Sequence, residues 1–242
     1  MSSAYYRLPG GLVAALQGDE PFPPLDDALK QPNGLLAIGG DLSTERLLNA
    51  YRQGIFPWFS PGDPLMWWSP HPRMVMFPDE LHISRSLQKR LKKPDYKISF
   101  NTDFRQVMST CATVPRDGQA GTWIVPEMIE AYCELHTLGY AHSVEVWQGE
   151  ALVGGLYGVA LGRVFFAESM FHLVPNASKI ALITLVRQLQ GLGIAMMDCQ
   201  LHTPHLASLG AREISRDEFS LKLSELIQTH ITPVKLIYDT LE

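Results

Sequence analysis

Apolar residues recur at helical spacing in three stretches of the chain. In the first, Leu47, Leu48 and Tyr51 form a stripe behind Ser43, a natural cap for a helix start, with Glu45 suited to the first turn and Gly54 to the end. In the second, Pro126 opens and Gly139 closes a run that carries Met128, Ile129, Tyr132 and Leu135. The third predicts a helix from Asn176 to Gln190, stopped by Gly191 and Gly193. Between the last two, apolar and polar positions alternate through Val144 and Val146, with turn signals around Gly149 and Gly162, which predicts an antiparallel meander. IAMMDCQL from Ile194 predicts one more strand. A shorter helix is predicted over 82–93, with Ile83, Leu87 and Leu91 set against a basic face of Arg85, Lys89, Lys92 and Lys93.

The region before these elements obeys a different pattern. Eleven of the seventeen prolines fall in the first 80 residues, and GIFPWFSPGDPLMWWSPHPR from Gly54 to Arg73 holds three tryptophans, two phenylalanines and five prolines. Proline fixes φ and removes a donor, so this stretch is expected to be a stiff loop whose aromatic rings make either a small core of their own or one wall of a pocket. The composition break near 70–80 predicts two domains, 1–73 and 74–242. The fold class is α+β: a small Pro/aromatic-rich N-terminal domain, then a domain with a mostly antiparallel sheet.

Composition sets bounds. The 242 residues are 46% hydrophobic, enough for a proper core, and carry a formal net charge of −5, which argues against indiscriminate coating of nucleic acid. DNA is not an expected partner. The local basic face at 82–93 suits modest, salt-sensitive RNA binding or simply solvation. Cys111, Cys133 and Cys199 form no framework, no charged and apolar leader opens the chain, and no apolar run reaches membrane-spanning length, so the expectation is a cytosolic protein without a membrane partner.

Two places carry candidate chemistry. Glu168 follows Val164, Phe165, Phe166 and Ala167 and is expected at the end of an apolar strand, reaching solvent or serving a ligand. Asp198 and Gln200, two apart, are expected on one face of a strand, with Met197 and Cys199 on the other. An acid and an amide so placed are either a structural hydrogen-bonded pair or a site. Cys199, His202 and His205 lack a fourth metal ligand nearby, and no metal is expected.

The block from Pro32 to Arg73, PNGLLAIGGDLSTERLLNAYRQ with its WWSPHPR tail, resembles the leucyl/phenylalanyl-tRNA–protein transferases, which add an amino acid from an aminoacyl-tRNA to a protein N-terminus. The family's GESMF and DCQ motifs reappear as AESMF and DCQ, followed by SLGA at 208–211, so the match runs from Pro32 to Ala211. The resemblance implies a catalytic site of Glu168, Asp198 and Gln200; walls for the terminal adenosine and aminoacyl group at Trp58, Trp123 and Phe165; and tRNA contacts on the basic helix. It implies leucyl- and phenylalanyl-tRNA as donors, methionyl-tRNA less efficiently, acceptors beginning with Arg or Lys, and degradation through the N-end rule pathway. No resident cofactor is implied, since aminoacyl-tRNA is a co-substrate.

Rejection of β-branched donors needs a wall beside the β-carbon, and Leu156, Phe165, Met170 and Leu185 are the candidates for it. Leu156, Leu185 and Ala167 stand where the family has methionine, phenylalanine and glycine, which implies a pocket of altered shape. In the reaction so implied, Gln200 orients the attacking amine, polarised by Asp198, while Glu168 holds the acceptor's cation or the donor's ammonium. The order helix, meander, helix, strand is also that of the GNAT acyltransferases, but NASKIA stands where acetyl-CoA users carry a glycine-rich loop. An acetyl-CoA-dependent N-acetyltransferase and a non-catalytic tRNA-binding protein are the alternatives.

Overall fold

The structure, a computed structural model, describes residues 4–93, 95–115 and 123–227. The first sheet is assembled from β1 (Ala4–Leu8), β2 (Gly11–Leu16), β3 (Leu35–Gly39), β4 (Phe56–Pro57) and β5 (Met66–Trp68), in the order β1-β2-β3-β5-β4. Helix α1 (Thr44–Arg52) follows β3, and Ser43 caps it as expected by accepting from Arg46 N at 3.3 Å. The stretch 54–73 is less of a loop than its prolines suggest. Its prolines avoid the ladder positions that need a donor, which leaves Phe56–Pro57 and Met66–Trp68 free to pair as short strands. Trp67 is fully buried against Phe22, and its indole donates to Gly39 O at 2.9 Å.

The second sheet has seven strands: β6 (Arg73–Met76), β7 (Lys97–Phe100), β8 (Ala141–Gln148), β9 (Ala151–Leu161), β10 (Val164–His172), β11 (Met196–Gln200) and β12 (Arg212–Ile214), ordered β12-β6-β11-β10-β9-β8-β7. Every pairing in it is antiparallel except β10 with β11. This sheet is covered on both faces. Helices α3 (Phe104–Thr113) and α4 (Pro126–Thr137) bury Phe104, Val107, Met128 and Tyr132 on one side. On the other, α2 (Arg85–Leu91) and α5 (Ala177–Gly191) bury Leu87, Ile180, Leu182 and Leu185. The start of α5 presses on β9 so closely that a Cβ at Gly154 would stand 2.5 Å from that of Ala177.

The chain ends its described course with α6 (Pro204–Ser208) and α7 (Arg216–Leu226). Helix α7 returns to the N-terminal part of the molecule. Gly54 sits at φ +74, and a Cβ there would meet the Phe219 ring of α7 at 2.6 Å. The meander and its flanking helices α4 and α5 match the periodicity of the sequence. The basic helix is shorter than 82–93, because Ser84 takes the cap position, accepting from Leu87 N at 3.4 Å, and Lys92 is already the C-cap. Arg85, Lys89, Lys92 and Lys93 are all exposed, whereas Arg90 turns to Asp95 at 3.1 Å and to the Tyr96 ring.

Candidate active site

The site is made by two strands that part. β10 and β11 pair only at Val164 with Met196, Phe165 with Met197 and Phe166 with Asp198. Beyond that point β10 stays with β9 and β11 stays with β6, and each carries a bulge: the extra residue is Glu168 in β10 and Cys199 in β11. A bulge re-aims the side chains around it and breaks the alternation of faces. The fork between the strands opens into a cavity of about 370 Å³, a size suited to a small organic group. Phe56, Trp58 and Trp123 wall one side; Leu156, Met170, Leu182 and Leu206 supply apolar lining; Glu168, Ser169, Gln200, Thr203 and His205 supply the polar groups. Trp58 is braced by Trp68, whose indole donates to Trp58 O at 2.6 Å with the rings 5.4 Å apart.

Glu168 is buried at 9% exposure. Its Oε1 accepts from Tyr51 Oη of α1 at 2.8 Å and from Gln200 Nε2 at 2.9 Å. Tyr51 Oη is in turn hydrogen-bonded to Tyr132 Oη of α4. Oε2 is buried and has no hydrogen-bond partner among the described residues. Burial, the largest influence, together with the charge of Asp198, outweighs the bonds from Tyr51 and Gln200 and the charge of Arg73, and the carboxyl pKa is raised to about 8. Burial and then the charge of Glu168 push the Tyr51 and Tyr132 phenols well above the ordinary tyrosine value. The cavity thus has a carboxyl that exchanges its proton near neutral pH, supported by phenols that stay protonated.

Asp198 is fully buried and answers a different partner. Arg73, heading β6, binds it through two hydrogen bonds, Nε to Oδ1 at 2.8 Å and Nη2 to Oδ2 at 2.6 Å. The guanidinium lies between the Phe56 and Phe219 rings, 4.8 Å and 4.7 Å from their centroids. Asp198 Oδ1 also accepts from Gln200 N at 2.9 Å. Gln200 itself has φ +63, an uncommon conformation for a side-chain-bearing residue, held by that bond and by the bulge. Its side chain is thereby swung to Glu168.

Several expectations change. Asp198 and Gln200 do not share a face, because the bulge at Cys199 and the left-handed backbone at Gln200 interrupt the alternation; Cys199 lines the cavity and Asp198 does not. Asp198 does not polarise the Gln200 amide: it receives the Gln200 backbone N–H, which makes it a positioning residue. Glu168 lies within β10, not at its end. Phe165 and Leu185 do not line the cavity; both are fully buried in the core on the α5 side, and Leu182, one helical turn before Leu185, presents the α5 surface instead. Trp58, Trp123, Leu156, Met170, Gln200 and Glu168 do line it.

Sequence reasoning missed Tyr51, Tyr132, Arg73 and His205. In the sequence the tyrosines occupy apolar stripe positions, although a buried hydroxyl needs a partner, and Arg73 is a charge at the head of an apolar strand, needing an acid.

The sequence profile described as leucyl/phenylalanyl-tRNA protein transferase matches residues 75–224, and that of the same family's N-terminal domain matches 40–71. A leucyl/phenylalanyl-tRNA–protein transferase of Nitrosospira multiformis is 62% identical over 89% of this chain and 93% of its own length. One from Chromobacterium violaceum is 60% identical over 87% and 91%. Among solved structures, L-PGS from Bacillus licheniformis (15% identity, 84% of this chain and 68% of that one) has a TM-score of 0.40, and a GCN5-related N-acetyltransferase from Kribbella flavida (8% identity, 69% and 60%) one of 0.37, too distant to carry an argument. With a profile spanning the second sheet and relatives of this identity over most of its length, the chain belongs to the leucyl/phenylalanyl-tRNA–protein transferase family.

Proposed function

We propose that the protein transfers leucine or phenylalanine, and methionine less efficiently, from aminoacyl-tRNA to the N-terminal amine of proteins beginning with Arg or Lys. The carrying observation is Glu168: a buried carboxyl at the cavity, with one oxygen fixed by Tyr51 and Gln200 and the other uncommitted. An acceptor arrives as an ammonium, whose ordinary pKa is about 7.7 to 8.0. Glu168, raised to about 8, is matched to take that proton, and matched acids and bases exchange protons with little driving force wasted.

The freed amine attacks the ester carbon, a C–N bond forms, and the C–O bond to the ribose breaks. Glu168 releases that first proton to solvent, takes the second proton from the nitrogen as the C–N bond forms, and passes it to the departing ribose oxygen, which leaves free tRNA and a new peptide bond. The ester is already activated, so positioning does most of the work. Gln200, with its Nε2 turned to Glu168, keeps its carbonyl for the amine N–H. Trp58 and Trp123 take the terminal adenosine, and Leu156, Met170 and Leu182 the aminoacyl side chain. The exposed Arg85, Lys89, Lys92 and Lys93, none ion-paired among the described residues, receive the body of the tRNA. No resident cofactor takes part. The setting is the cytoplasm, and the product enters N-end rule degradation; no helix among the described residues is long and apolar enough to cross a membrane.

The test is direct. Purified protein is mixed with phenylalanyl-tRNA and a peptide beginning with Arg, beside one beginning with Ala. Mass spectrometry is expected to show one added phenylalanine on the Arg peptide alone. Addition to neither peptide, with leucyl-tRNA also tried and tRNA binding confirmed, would sink the reading.

A further inference from the structure

The mouth of the cavity carries basic side chains that the transfer chemistry leaves unused. His205 of α6 lines the cavity, His172 ends β10, and Lys179 lies in the first turn of α5. His172 stands two residues past the cavity-lining Met170 along β10, and Lys179 about one helical turn before the cavity-lining Leu182 on α5. His172 Nδ1 is 3.4 Å from the hydroxyl of Ser178, the neighbour of Lys179. His205 feels both: its pKa is lowered by burial first, then by the charges of Lys179 and His172. No carboxylate is ion-paired with any of the three among the described residues, the first turn of α5 holds no acid, and His205 Nε2 is buried without a hydrogen-bond partner. A lysine ammonium beside two imidazoles, with no acid to answer it, suits an anion from outside that can accept from the ammonium and from the imidazole N–H groups together.

We infer that His172, Lys179 and His205 form a phosphodiester subsite that holds the 3′ strand of the donor RNA just outside the aminoacyl cavity. The inference rests on the proposed aminoacyl transfer. A nucleoside seated against Trp58 and Trp123 has its next phosphate at the cavity mouth, where His205 already lines the wall. The subsite is separate from the basic face of α2, yet continuous with it. Arg187, exposed and two turns further along α5, shares a groove with Arg90 and Lys93, so cations follow α5 for roughly 12 Å from Lys179.

The experiment compares two donors, phenylalanyl-tRNA and 3′-phenylalanyl-adenosine, which lacks phosphate, on the wild type, Lys179→Ala and Lys179→Arg. A charge-assisted contact predicts that Lys179→Ala lowers kcat/KM for phenylalanyl-tRNA about tenfold relative to phenylalanyl-adenosine, and that Lys179→Arg restores most of it. The slope of log Kd for tRNA against log salt should fall by about one in Lys179→Ala. An equal loss with both donors, or no loss with either, overturns the subsite.

Coenzyme A separates the other source of such an anion. If it raises the melting temperature of the wild type as much as the RNA does, and not that of Lys179→Ala, the cluster serves a nucleotide cofactor and the inference falls. If the wild type transfers from neither donor, aminoacyl transfer itself has failed. The salt slope then decides the subsite, an unchanged slope overturning it.

Discussion

Asp198 and Glu168 are both buried carboxylates on neighbouring strands, and they have opposite surroundings. Asp198 meets a guanidinium in bidentate geometry, sealed between two phenyl rings, and its remaining capacity goes to a backbone N–H. Glu168 meets two neutral donors on one oxygen and none on the other, and its proton affinity is raised to about 8. Burial is common to the two; the counter-charge is not. An acid that has its own cation becomes part of the frame, and one without it keeps a proton to trade.

The comparison breaks most severely if Asp198 is removed alone. Asp198→Ala leaves the Arg73 cation buried without its partner, and loss of one member of such a pair costs about 3 to 5 kcal/mol. Urea denaturation should show a lower midpoint of that order; an unchanged midpoint would mean the pair does not hold the frame. Glu168→Gln should do the reverse, sparing the fold while lowering kcat about a hundredfold or more, with donor affinity kept.

That variant also has a pH signature. Folded Glu168 holds its proton up to about pH 8, whereas the unfolded carboxyl releases it near 4.5, so the folded state binds the extra proton between these values. Wild-type stability should therefore fall as pH rises from about 4.5 to about 8, and kcat/KM should climb over the upper part of that range. Glu168→Gln should flatten the stability slope, and a slope that persists would place the titrating group elsewhere. The smallest effect sharpens the contrast: Tyr51→Phe removes a bond that favours the charged carboxyl, so the rising limb of the pH–rate profile should move up by about one unit. A limb that stays where it was would deny Tyr51 its hold on Glu168.

Much of this frame could be read along the chain. Ser43 marks a helix start by capping it and Pro126 by its fixed φ at the first helical position, both local effects, and alternation with glycine turns marks the meander. Glu168, Gln200 and the Trp58 and Trp123 walls were placed by motif. The rest depended on geometry that no local pattern encodes. One inserted residue in each of β10 and β11 undid the face arithmetic for Asp198 and Gln200. A three-residue offset on α5 put Leu182, not Leu185, at the cavity. Tyr51 and Tyr132 read as core because their rings are core; only their hydroxyls, meeting 81 residues apart in sequence, belong to the site.

The seal over Arg73 bears on when the protein becomes competent during its synthesis. One of the two rings enclosing that guanidinium is Phe219, on the final helix of the described chain, and the same ring fills the space left by Gly54 beside the segment that carries Tyr51. Helix α7 must clear the ribosome before the pair is closed on both sides. A nascent chain that has made every residue around Glu168 still lacks one wall of its frame until α7 docks.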